Sequence, residues 1–191
     1  ISSVTEGSYT VTVTGTDLAG NTYAGTDSIT LTVDNTAPTA TLSDNDADNL
    51  LSTTDSVTIT AVFNESMSAT PTVLISGTSI SGVMTQISGT NSYTFNWDLS
   101  GSSLNDGPYT ATVSGTDLAS NPYSGTESIT FTLDVTLPSV TLTSSDSDNT
   151  VQSADSNITV TATFNEAMAS APTITIGSAV DNLVLTATSS T

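Results

Sequence analysis

The chain contains no lysine, no arginine, no histidine and no cysteine. Each absence removes a class of function. Without a basic side chain nothing can neutralise a phosphate, so nucleic-acid binding through a charged surface is excluded. A polybasic membrane anchor is excluded on the same ground. Catalysis through a His base, a Lys amine, an Arg clamp or a Cys thiolate is impossible, and an intramolecular Lys–Asn crosslink is impossible too. With no cysteine there is no disulfide framework, no thiolate zinc site and no iron–sulfur cluster. Aromatic residues are scarce, at 5%, and no apolar run approaches the length that spans a bilayer.

What remains is acidic, hydroxylated and modestly hydrophobic. Asp and Glu number 19, which gives a formal net charge of -19, and Ser and Thr supply 71 of the 191 residues. The hydrophobic fraction is still 36%, distributed in short alternating runs. That pattern fits a secreted, Thr-rich β protein and not a disordered acidic tail. The first residue, Ile1, falls in mid-pattern with no Met start and no signal peptide; the chain is expected to be a window from something longer.

The chain repeats itself with a period of 100 residues. YTVTVTGTDLA at 9–19 returns as YTATVSGTDLA at 109–119, and SITLTVDNTAP at 28–38 returns as SITFTLDVTLP at 128–138. Residues 1–36 and 101–136 share 22 identities in 36 ungapped positions. Further on, FNESM at 63–67 matches FNEAM at 164–168 after one inserted residue near Asn157. The expected organisation is the C-terminal part of one repeat (1–36), a complete repeat (37–136) and the N-terminal part of a third (137–191). A period of this size is that of one small sandwich domain.

Strands follow from period-2 alternation. Val57, Ile59, Ala61 and Phe63 mark one strand, and Tyr93, Phe95, Trp97 and Leu99 a second. Tyr109, Ala111 and Val113 mark a third, and Ile129, Phe131 and Leu133 a fourth. Shorter strands are expected near 39–43, 72–76 and 80–87. Thr on the outward positions suits exposed strands, because its branched β-carbon fits the pleat. No stretch has a helical period. The fold class is therefore all-β: tandem immunoglobulin-like β-sandwiches of about 100 residues, seven strands each, with Phe63, Phe95, Trp97, Tyr109, Val113, Ile129 and Phe131 in the core.

The linker string VDNTAP at 33–38, the GTDLAGN segment at 15–21 and the 100-residue period resemble bacterial Ig-like tandem repeats of large surface adhesins and extracellular stalk proteins. The linker is also similar to the calcium-binding junctions of cadherins. The resemblance implies a structural, spacing or force-bearing role with calcium at domain junctions. The second linker departs from the pattern, with Val135 where the first has Asn35 and Leu137 where it has Ala37.

The chemistry-bearing residues are clustered carboxylates. In DNDADNLLSTTD at 44–55, carboxylates fall at positions 1, 3, 5 and 12 (Asp44, Asp46, Asp48, Asp55), with Asn49 at 6 and the Leu50 carbonyl at 7. That is the ligand spacing of a helix-flanked calcium loop, here without the helices. Asn49 stands where Gly is usual and is suited to positive φ. The third repeat offers Asp146, Asp148 and Asp155, with Ser144 at position 1. Carboxylates packed into one loop repel, and a chain with no basic residue has only a bound cation to offset them. Calcium is the expected ion, since every candidate ligand is a hard oxygen.

Asp106 and Asp134 are expected at the same end of the sandwich as this loop, facing Asn165 and Glu166 of the next repeat. Asp17 and Asp117 read as turn-forming residues in Gly-flanked hairpins. No catalytic constellation is present. Two function classes follow: a structural repeat in a surface adhesin, stalk or fibre, or a carbohydrate- or protein-binding module attached to a secreted enzyme. Aromatics on core faces favour the first. The expected partners are neighbouring repeats of the same chain and other copies in a fibre, at an extracellular or cell-surface location, with no nucleic acid and no membrane insertion.

Overall fold

Alternating runs of branched and aromatic residues leave the backbone one economical solution, the pleated strand with one face dry. The computed structural model describes residues 4–148, 150, 152, 158–175 and 183–184, and every regular element among them is a strand. They fall into two compact units, Ile1–Val135 and Thr136–Thr191.

The first unit opens with a hairpin, β1 (Gly7–Thr12) and β2 (Ser28–Val33), paired antiparallel from Gly7↔Val33 to Thr12↔Ser28. The sandwich then runs β3 (Ala40–Asp44), β4 (Leu50–Leu51), β5 (Ser56–Phe63), β6 (Thr72–Ile75), β7 (Ser81–Val83), β8 (Thr85–Gln86), β9 (Ser92–Asp98), β10 (Gly107–Ser114) and β11 (Ser128–Leu133). One sheet has the order β3-β5-β9-β8 and the other β4-β11-β10-β6-β7. All pairings are antiparallel except β11 with β4, where Thr132 and Leu133 run parallel to Leu50 and Leu51. The second unit holds β12 (Val140–Ser144) paired with β13 (Val160–Phe164), and β14 (Thr173–Ile174) paired with β15 (Leu183–Val184). The Val140↔Phe164 register of β12 and β13 repeats the Ala40↔Phe63 register of β3 and β5.

Residues 37–136 thus hold nine strands where alternation predicts seven. The run 80–87 is two strands because the chain changes sheets at Met84. Its side chain is buried and its N–H donates to Pro71 O at 2.9 Å, so β7 stays beside β6 and β8 joins β9. The other extra strand, β4, carries Leu50, whose carbonyl is the expected ligand of the loop. Its neighbours Asn49 O and Leu51 O accept from Thr132 N (2.8 Å) and Asp134 N (2.9 Å), and the buried Leu51 side chain anchors the segment.

The core lies between the two sheets. Trp97 is buried and meets Phe131 and Tyr109 edge-on, with ring centroids 5.8 and 6.0 Å apart. Phe63 meets Tyr93 and Tyr123 in the same way, at 5.8 and 5.6 Å, the favoured geometry for ring quadrupoles. Val57, Ile59, Ala61, Val113 and Leu133 fill the spaces. Phe95 and Ile129, expected inside, are half-buried and pack against this core from its margin.

Candidate functional site

Register places the chain's loops at two ends of the sandwich. β3 ends at Asp44, which pairs with Ile59 near the start of β5, and Ser56 pairs with Asp98. Gly107 pairs with Leu133. The 44–55 loop, Asp98, Asp106 and Asp134 therefore share the end from which the chain leaves the repeat. Ala40↔Phe63 and Ser114↔Thr72 define the opposite end, where the preceding linker comes in.

At the outgoing end the loop carboxylates are engaged by the loop's own backbone. Asp44 Oδ1 accepts from Asp46 N (2.9 Å), and Asp46 Oδ1 from Asp48 N (3.2 Å) and Asn49 N (2.6 Å). Asp48 Oδ1 accepts from Leu50 N (3.1 Å). Asp55 Oδ2 accepts from Ser52 N (2.7 Å) and Ser52 Oγ (3.0 Å). The Asp44, Asp46 and Asp48 contacts are successive Asx turns, and Asn49 has the expected positive φ, 58°. Asp106 Oδ1 accepts from Val135 N at 2.6 Å, which fixes the outgoing chain.

In the second unit the same chain of turns continues. Asp146 Oδ1 accepts from Asp148 N (3.4 Å), and Asp148 Oδ1 from Thr150 N (2.8 Å). Asp146 Oδ2 and Glu166 Oε1 are shielded from solvent without a hydrogen-bond partner. Asp155 lies outside the described residues.

The residues that do converge are at the incoming end. Among the described residues, one carboxylate oxygen each from Asp34, Glu65 and Asp117 lie within 4.8 Å of one another. Asp34 follows β2 on the linker, Glu65 follows β5, and Asp117 follows β10. Asp117 is fully buried, while Asp34 and Glu65 are half-buried. Burial and then the charges of Asp34, Asp117 and Glu6 push the Glu65 carboxyl above its ordinary value. Burial acts on Asp117 in the same direction, but hydrogen bonds from Asn121, Ala119 and Ser120 outweigh it and hold that carboxyl low. Three hard carboxylate oxygens gathered where no base exists match the donor chemistry of calcium.

Sequence reasoning places Asp134 and Glu166, the repeat counterparts of Asp34 and Glu65, among the metal candidates. It misses Asp117, whose burial depends on segments far off in sequence. The signal available was identity at 17 and 117 inside a repeated heptapeptide, which Asp's turn-forming habit explained away. Asn64 and Asn165, beside the two Glu residues, act as structural clamps: Asn64 Oδ1 accepts from Thr39 N (2.7 Å) and Asn165 Oδ1 from Ser139 N (2.6 Å).

No helix among the described residues is long and apolar enough to cross a membrane. No curated protein matches the chain. One solved structure that it resembles is described as the crystal structure of a tetra-tandem repeat in the extending region of a large adhesion protein. The two are 27% identical, with a TM-score of 0.46, over 100% of this chain and 47% of that one. The chain thus spans about half the length of that structure. The bacterial Ig-like domain (group 3) family matches residues 1–121 and, again, 90–191. With two overlapping matches that together take in every residue, the chain belongs to the bacterial Ig-like domain family, group 3.

Proposed function

We propose that the chain is a structural repeat segment of an extracellular or cell-surface adhesin, stalk or fibre, and that calcium stiffens its junctions. The observation that carries the reading is the meeting of Asp34, Glu65 and Asp117 where one repeat hands over to the next. It occurs in a tandem array that has no cation of its own to balance them. The proposed repeat divisions are 1–36, 37–136 and 137–191. The partners are neighbouring repeats and, in a fibre, other copies. A non-catalytic role is in keeping with a composition that lacks His, Lys, Arg and Cys.

When bound, calcium supplies positive charge that offsets carboxylate repulsion and ties together groups from separate elements. Asp34 and Glu65 would hold it from the linker and from the segment after β5, with Asp117 as the buried anchor. Asp134 and Glu166 are their counterparts in the next repeat. The Asp44, Asp46, Asp48 and Asp55 loop, with Asp106, and the Asp146, Asp148 and Asp155 loop are proposed as further, weaker calcium sites. Because such an ion binds the folded state, the melting temperature should rise with calcium concentration.

Scattering and calorimetry in chelator, and then in millimolar calcium, test the reading. The expected result is a narrower range of particle dimensions and a higher melting temperature in calcium. Magnesium should substitute poorly, since it demands stricter octahedral geometry. Glu65→Gln should remove most of the response, and Asp46→Ala with Asp48→Ala a smaller part. A response that is unchanged in Glu65→Gln and lost in the loop variant would move the site to the loop. No difference between chelator and calcium would end the calcium reading.

A further inference from the structure

GTDLASN at 115–121 does more than turn the chain. Asp117 Oδ1 accepts from Asn121 N, and Asp117 Oδ2 from Asn121 Nδ2, both at 2.8 Å. Asp117 N donates to Asn121 O (3.0 Å) and Tyr123 N to Gly115 O (2.9 Å). The side-chain amide of Asn121 is therefore held from one side by a buried carboxylate. Its Nδ2 also donates to Asp34 O, on the incoming linker, at 3.2 Å.

The first repeat shows the same loop without that linker contact. Asn21 N and Nδ2 donate to Asp17 Oδ1 and Oδ2, each at 2.8 Å, and Tyr23 N donates to Gly15 O at 2.8 Å. Every residue of that copy is exposed. The loop's shape thus comes from its own seven residues and not from what docks on it. A donor fixed in advance loses little conformational freedom on binding.

We infer that the GTDLASN loop is a receptor for the linker entering its own repeat, with the Asn121 amide as a latch on the Asp34 backbone that works without a cation. The charge pattern favours a neutral latch. The linker seats Asp34 beside Glu65 and Asp117 in a chain with no Lys or Arg, so in the absence of a cation uncharged contacts such as this hydrogen bond hold it there. Asn121 is a positioning residue: it grips the carbonyl of the residue whose carboxylate repels. The latch stands independently of the calcium reading, although it would place one of the proposed ligands.

Amide hydrogen exchange across Asp34–Ala37 of the full chain, in chelator and then in millimolar calcium, tests this. In chelator, Asn121→Ala should speed exchange of the linker amides about five- to tenfold, the effect of losing one net hydrogen bond. Asn21→Ala removes the same bonds within its own loop and should leave the linker unchanged. Asn121→Ser, whose shorter side chain cannot span Asp117 and Asp34, repeats the measurement should Asn121→Ala fail to fold. Linker exchange unaltered in the Asn121 variants, or raised equally by Asn21→Ala, overturns the latch. A wild-type linker protected only once calcium is added overturns the latch and leaves the calcium reading standing. A linker protected in chelator and unchanged by calcium does the reverse.

Discussion

Glu65 and Asp117 show how one residue type takes opposite roles from its surroundings. Asp117 is buried but receives donors on both oxygens from Asn121, so its charged form is favoured in the fold. Glu65 is desolvated and faces Asp34, Asp117 and Glu6, so its charged form is disfavoured. The sign for stability follows. A carboxyl raised above its ordinary 4.5 in the fold adds stability that is fully present below that value and lost as pH climbs through the raised one. In chelator, Glu65→Gln should therefore melt above wild type at pH 7, and the gap should close by about pH 4. Thermal melts across that range check it; a constant gap would mean that the Glu65 charge is not the cause. Asp98, held low by hydrogen bonds from Ser100, works the other way, its contribution fading as pH drops below 3.8.

Within the elements, stability is concentrated where β9 crosses the core. Trp97 lies on β9 opposite Val57 of β5 and reaches Phe131 and Tyr109 of the other sheet. Trp97→Ala should cost about 3–5 kcal/mol in a denaturant melt, as a large buried ring leaves a cavity that rigid strands cannot close. A change under about 1 kcal/mol would remove Trp97 from the core. Gly82 is the complementary case. A β-carbon there would come within 2.3 Å of the Phe95 ring, so β7 can lie under Phe95 only with no side chain at 82. Gly82→Ala should destabilise by about 1–3 kcal/mol through displacement of that ring, measured in the same way. Paired with Phe95→Leu the cost should shrink, because the obstacle is the ring.

For the whole molecule the decisive feature is where charge is allowed. Among the described acidic residues only Asp44 and Asp98 belong to strands, each as the last residue; the rest lie in loops and linkers. The outer sheet faces carry Thr and Ser instead, as in the Thr110–Thr130 pair, whose hydroxyls are 3.0 Å apart across β10 and β11. Repulsion is therefore focused on the ends, and it falls with ionic strength: the screening length is about 10 Å at 0.1 M salt and 3 Å at 1 M. In chelator, raising sodium chloride from about 0.05 to 0.5 M should lift the melting temperature gradually, by less than millimolar calcium does, since screening lacks coordination. A falling melting temperature would show that repulsion between carboxylates does not limit stability.

The sequence by itself determined the class of fold, the repeat and most of the core. Alternation along 57–63, 93–99, 109–113 and 129–133 obliges one face of each segment to be dry, and period 2 admits only strands. It also determined what the chain cannot do, because a missing side chain is missing in every conformation. The Asn49 backbone was legible too, since few residues accept positive φ. Tertiary structure decided the rest. The sheet change at Met84 depends on Pro71, and strand β4 depends on β11, neither of which is near in sequence. Above all, the heptapeptide at 115–121 shapes the turn around Asp117, but Asp117 is buried beside Asp34 and Glu65 only because packing brings the linker and the segment after β5 to it. Local sequence shapes the loop; only the fold chooses its neighbours.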